Sequence, residues 1–177
     1  MCPSLKTVCL AAGLLTTGAA QAETPMAEIP AALQAPGETL LMVVPARGVQ
    51  IYECRSRKDQ PATYEWAFIA PQATLFDTAG RKIGDHYEGP TWESDDGSRI
   101  TGTLKARADA PTSNGIPWLL LTATAAGNAK GAFSAVTSVQ RVNTAGGMTP
   151  KVACTEATAG AVARVPYTAD YYFLGRR

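Results

Sequence analysis

The sequence predicts an all-β fold: a single β-sandwich or barrel-like domain of short antiparallel strands with little helix. Three observations carry this expectation. From Glu38 onward, short apolar runs alternate with turn residues at the spacing usual for sandwiches and barrels. Gly (16) and Pro (12) are numerous for a helical bundle. Beyond the first two dozen residues, no window sustains an i, i+3, i+4, i+7 apolar stripe free of Gly or Pro for three turns.

The elements follow in chain order. Residues 1–22 read as a secretory signal peptide. Lys6 supplies a short positive region, and Val8 through Ala20 is uncharged, apolar and too short for a bilayer span of about 20 residues. Ala20-Gln21-Ala22 then gives a small-x-small cleavage pattern before Glu23. A lipoprotein signal fits poorly, because Lys6 lies in the approach to Cys9. The expectation is an exported protein, periplasmic or extracellular, with no membrane span in the mature chain. Residues 23–37, rich in Pro and Ala, form an extended lead-in with one helical turn near Ala31–Gln34, and residues 38–177 form the single β domain.

Within that domain the strands are read from period and bulk. Thr39–Val44 is an apolar run ended by Pro45, and Gly48–Arg55 alternates. Tyr64–Ala70 is aromatic and apolar, with Ala73–Phe76 following Pro71. Ser98–Arg107 alternates most cleanly: Ile100, Gly102, Leu104 and Ala106 face one way, with Arg99, Thr101, Thr103, Lys105 and Arg107 opposite. Trp118–Ala125 is apolar on both faces and reads as a central strand. Phe133–Thr144, Val162–Val165 and Thr168–Leu174 complete the set, with a short helix near Lys151–Gly160. Ala79-Gly80, Asp96-Gly97, Asn114-Gly115 and Gly146-Gly147 mark turns, where positive φ favours Gly and Asn.

With the signal removed, Cys54 and Cys154 remain, and an exported chain permits one pairing between them. A reactive or metal-binding pair would want a CxxC spacing and a nearby His, and neither is present. A formal charge of +1 gives no electrostatic reason to expect nucleic acid as partner.

The densest polar and aromatic segment is Gly84–Ser98, which holds the single His of the chain. His86 is the candidate general base, with Asp85, Glu88 or Glu93 to orient it. A hydrolytic triad would also need an activated Ser, and no Gly-x-Ser-x-Gly elbow exists. The regular calcium-loop spacing is missing, one His cannot build a zinc site, and no Gly-rich phosphate loop occurs, so no metal and no cofactor are expected. Asp85, His86, Tyr87, Glu88, Trp92 and Glu93 are the candidate ligand-binding residues. Trp66 and Trp118 read as core, and Arg55, Arg57 and Lys58 beside Asp59 as a solvated turn.

Several segments resemble a known family. Gly48-Val49-Gln50-Ile51-Tyr52-Glu53-Cys54 and Gly84-Asp85-His86-Tyr87-Glu88-Gly89-Pro90-Thr91-Trp92-Glu93 are two of them. Ile116-Pro117-Trp118-Leu119-Leu120, Val139–Gly147 and Val165–Phe173 are the others. Together they resemble the secreted bacterial and fungal family called domain of unknown function three-four-five-five, over about residues 36–174. The resemblance implies no established activity, substrate or catalytic residues. Some fungal members carry the label malate dehydrogenase, but this chain has no strand–Gly-rich turn–helix to hold a dinucleotide pyrophosphate, and the label is rejected. The function expected is a non-enzymatic binding or envelope-associated module that recognises a small molecule, glycan or partner through the 84–98 loop. The alternative is a hydrolase-like or metal-assisted enzyme centred on His86 and nearby carboxylates.

Overall fold

The structure, a computed structural model, describes residues 26–128 and 130–176. The expected signal peptide lies outside the described residues. Eight strands follow one another: β1 (Thr39–Ser56), β2 (Tyr64–Phe76), β3 (Lys82–Tyr87), β4 (Thr91–Ser94), β5 (Arg99–Ala108), β6 (Trp118–Ala125), β7 (Ser138–Gly146) and β8 (Val162–Gly175). Each pairs antiparallel with the next, and β8 returns to β1, so the sheet closes into an up-and-down barrel. Of the two architectures left open by the sequence, the barrel is the one formed.

Several elements differ from expectation. The two runs on either side of Pro45 are one strand, as are those flanking Pro71 and Pro166. Pro71 sits where β2 has a neighbour on one side only, a position that tolerates a missing backbone donor. Phe133–Thr137 is not strand; Phe133 and Val136 are buried in a turn, and β7 starts at Ser138. The helix expected near Lys151–Gly160 shrinks to a three-residue 3₁₀ turn, Glu156–Thr158. The 84–98 segment is no loop: it is the β3–β4 hairpin plus the turn into β5. The alternation of β5 breaks at a bulge between Leu104 and Ala106. Ala106 therefore joins the outer face, and Arg107 pairs opposite inward-facing Leu119.

Period two sends one face of each strand inward. Val44, Leu75, Trp92, Ile100, Leu121 and Val139, with Tyr171 and Phe173, fill the lumen. A second cluster, Leu33, Trp118, Leu120, Val142, Tyr172 and Leu174, lies outside the wall. The lead-in covers it, with a 3₁₀ turn at Ala31–Leu33. Ala27 N donates to Tyr172 Oη at 2.9 Å, and Gln140 Nε2 to the Leu33 carbonyl at 2.7 Å. That cover explains why β6 is apolar on both faces. Cys54 and Cys154 are joined in a disulfide, tying the long β7–β8 connection to the end of β1. Among the described residues, no helix is long and apolar enough to cross a membrane.

One asymmetry positions the site. The β3–β4 hairpin is short: β2 pairs with β3 only over Ala73–Phe76, and β4 with β5 only over Thr91–Glu93. Residues 64–72 of β2 and 103–108 of β5 thus have a strand neighbour on one side only, which leaves a lateral notch in the barrel wall.

Candidate functional site: a lumen cavity behind the lateral notch

The notch opens on a cavity of about 370 Å³ inside the barrel. Trp92, Leu119, Leu121 and Tyr171 form its walls, and Phe68, Ile69 and residues 88–90 its mouth. A bulge at Ile69 shifts the β1–β2 register, so Phe68 pairs opposite inward-facing Tyr52 and meets its ring edge-on at 5.8 Å. Phe68 (50% exposed), Ile69 (40%) and Leu104 (55%) are apolar side chains left uncovered along the two unpaired strand segments.

His86 and Trp92 are direct cross-strand partners and both point inward. Their rings stack at 4.4 Å between centroids and 17° between planes, and Tyr171 meets the imidazole edge-on at 4.9 Å. His86 Nδ1 lies 2.8 Å from the Thr91 carbonyl oxygen. A carbonyl only accepts, so Nδ1 carries the proton and Nε2 of the neutral ring is an acceptor. Burial lowers the His86 pKa to about 3, against the opposing Thr91 hydrogen bond and with help from the Arg141 charge. At neutral pH the imidazole is uncharged. Trp92 Nε1 is buried without an acceptor among the described residues.

Arg141 lies on β7, opposite the β3–β4 hairpin across the ring of strands. It pairs with Leu119 on one side and Tyr171 on the other, and it lines the cavity. Nη2 and Nε donate to the Pro117 carbonyl at 2.8 and 3.3 Å. No carboxylate forms an ion pair with it among the described residues. Burial lowers its pKa, opposed by the hydroxyls of Tyr171, Tyr167 and Tyr52. Burial raises the pKa of Tyr171 well above its usual value, and Tyr171 Oη shares a 3.2 Å hydrogen bond with Tyr167 Oη.

The other residues expected at a site are placed elsewhere. Asp85, Tyr87 and Glu93 alternate with His86 and Trp92 and so face outward. Asp85 Oδ2 takes a 2.7 Å contact from Lys82 Nζ, and Tyr87 donates to Glu93. Glu88 sits in the hairpin turn at the cavity mouth. The hairpin thus brings together His86, Trp92 and Glu88 at one cavity but turns Asp85 and Glu93, the other two carboxylates expected to orient the imidazole, away from it. Among the described residues, no group of three His, Cys, Asp or Glu converges as a metal site. Trp118 is buried outside the barrel, while Trp66 is only partly buried, its Nε1 donating to the Val152 carbonyl at 2.8 Å. Arg57 contacts Asp59 at 3.2 Å in an exposed turn.

Sequence reasoning assigns no role to Arg141, Tyr171 or Phe68. A signal exists for Arg141: standing two residues after Val139, it shares the face that Val139 buries. A larger depression, about 980 Å³, lies between the lead-in and the outer side of β6 and β7. It is more open to solvent, and its one ionisable lining residue, Glu28, is exposed, so the lumen cavity is the better-formed site.

A family model described as "Protein of unknown function (DUF3455)" matches residues 35–175. No curated protein and no solved structure matches the chain.

Proposed function

The chain belongs to that family of unknown function, and on this footing we propose that the barrel is a binding module for a small, largely apolar molecule admitted through the lateral notch. The observation that carries the proposal is the lumen cavity itself. Apolar walls meet three convergent polar side chains, His86, Trp92 and Arg141, behind a mouth edged by uncovered Phe68 and Ile69. Concave, mostly apolar sites with a few polar groups are what small-molecule recognition uses.

Recognition suits His86 better than proton transfer. Its pKa of about 3 makes it a weak base at neutral pH, and its Nδ1 proton is held by a backbone carbonyl rather than a carboxylate. The recognition surface is the inward half of the hairpin, so Asp85, Tyr87 and Glu93 drop out of it. The disulfide supports work in an oxidising compartment outside the cytoplasm.

Titration with the neutral fluorophore N-phenyl-1-naphthylamine tests the reading. One saturable site, with the emission rise of an apolar environment, is expected. Leu119→Trp, which places bulk in the cavity, should abolish it while the barrel stays folded. Non-saturable binding, or binding unaffected by Leu119→Trp, would count against the lumen.

A further inference from the structure

We propose that the lumen ligand is a monocarboxylate with an apolar body, and that Arg141 receives its carboxylate. This rests on the lumen-binding reading above and names the chemical class of ligand.

A guanidinium carries five N–H donors and no acceptor. In Arg141 the bonds to the Pro117 carbonyl use Nε and Nη2 and fix the plane of the group. The remaining donors, including both on Nη1, have no protein acceptor among the described residues. Arg141 is nevertheless not among the buried side chains whose polar atoms are sealed in without partners. Its free donors are thus not sealed away, and the residue lines the lumen cavity.

Holding a cation inside a barrel is costly unless something pairs with it. Four cations at the surface have carboxylate partners: Arg57 with Asp59, Arg81 with Asp77, Lys82 with Asp85 and Arg99 with Glu93. Arg141 has only a peptide carbonyl. Arg107, paired opposite inward-facing Leu119, adds repulsion. Glu88, the acidic residue of the same cavity, sits at the mouth and makes no ion pair with it.

The match to the ligand is one of charge and shape. A carboxylate offers two oxygens to a fixed planar fork, the geometry in which guanidinium recognition is strongest. Behind that fork the walls are apolar, Leu119, Leu121 and Trp92, and the cavity runs out to Phe68 and Ile69. A ligand entering by the notch thus meets apolar surface first and the cation on the far wall. One guanidinium in so apolar a space suits a single negative charge better than a phosphate. His86 lines the same cavity, and its Nε2 acceptor suits a hydroxyl or amide donor on the body of the same ligand.

The test compares decanoate, decanol and decyl phosphate as competitors of N-phenyl-1-naphthylamine, with calorimetry of decanoate as a direct measurement. Decanoate should bind at least about tenfold tighter than decanol, or ~1.4 kcal/mol, with an advantage that shrinks as salt is added. In Arg141→Gln the ratio of acid to alcohol affinity should fall to about one, and in Arg141→Lys it should be partly restored. Arg55→Gln, a change in an exposed residue remote from the cavity, should leave the ratio unchanged. Equal affinities for acid and alcohol in the unaltered protein would overturn the carboxylate and leave lumen binding standing. Tightest binding of decyl phosphate, or undiminished discrimination in a folded Arg141→Gln, would overturn it too. No saturable binding of fluorophore, decanol or decanoate would bring down the lumen reading itself.

Discussion

The imidazole of His86 lies flat against the indole of Trp92, 4.4 Å away, across the β3–β4 hydrogen-bonded pair. This one contact fixes which half of the hairpin belongs to the lumen. Two strands of six and four residues place both rings inward and their neighbours Asp85, Tyr87 and Glu93 outward. Burial of that imidazole keeps the only His of the chain neutral, with a consequence for acid stability.

Buried His86 should make the protein sensitive to mild acid. Its folded pKa, about 3, lies below the ordinary 6.5, so between those values the unfolded chain binds a proton that the folded one refuses. Stability is therefore full above about pH 6.5 and falls as pH drops, by roughly 1.4 kcal/mol per pH unit. Asp96, pulled down to about 2 by the Ser98 hydroxyl and the backbone N–H groups of Ala132 and Ser98, loses its contribution only below the usual carboxylate range. Denaturant unfolding between pH 6.5 and 4.5 isolates the His86 effect. The expected slope should vanish in His86→Gln, and a slope surviving there would assign it to another group.

Gly102 is the point where β5 makes room for Trp92. A Cβ there would lie 2.8 Å from Trp92 Cζ3 and 3.0 Å from Leu121 Cδ2. Gly102→Ala should push the indole off its stack and destabilise the fold by about 1–3 kcal/mol. A shift in tryptophan emission should accompany the lower unfolding midpoint. An unchanged midpoint and spectrum would mean that the wall yields there without strain.

The Cys54–Cys154 bridge closes a loop with a sequence separation of 100. By chain entropy alone it is worth roughly 4–5 kcal/mol, an upper figure for the loss in Cys154→Ala. The thermal midpoint should drop by several degrees or more. Added reductant should lower the midpoint of the unaltered protein and leave that of Cys154→Ala where it is. Equal sensitivity to reductant in both would show that the bridge contributes little.

Much of this could be read from residues, and what could not has a physical cause. The all-β class follows from turn dipeptides such as Asp96-Gly97, where Gly97 does adopt φ of 81°. Even-numbered cysteines pointed to the pairing that forms. Barrel against sandwich depends on β1 meeting β8, a pairing of ends that no local pattern encodes. The expected alternation of β5 fails past Leu104, because one extra residue at Lys105 reverses every side chain beyond it. The 84–98 segment reads as a loop because its polar residues dominate. They belong to the outer face of a hairpin whose inner face is only His86, Trp92 and small residues. Arg141 is not legible in sequence because a cation between Gln140 and Val142 reads as solvated until the opposite wall is known.

The final prediction separates recognition from catalysis at His86. A neutral imidazole with Nδ1–H held by Thr91 presents Nε2 as an acceptor. If the lumen ligand donates to that atom, His86→Ala removes one hydrogen bond and half of a stacked pair. Binding should weaken by about 1–2 kcal/mol, a factor of roughly five to thirty. His86→Gln supplies an amide oxygen near the same place and should keep most of the affinity. Gln cannot replace a proton-transferring imidazole, so a turnover dependent on His86 would be lost equally in both variants, by orders of magnitude. Affinity in Ala and Gln variants, measured with the tightest ligand from the decanoate series, is therefore the deciding comparison. Near-wild-type binding in Gln and weak binding in Ala is the outcome expected of a binding module. Intact binding in both, with loss of some product-forming reaction, would move His86 into the role of a catalytic base.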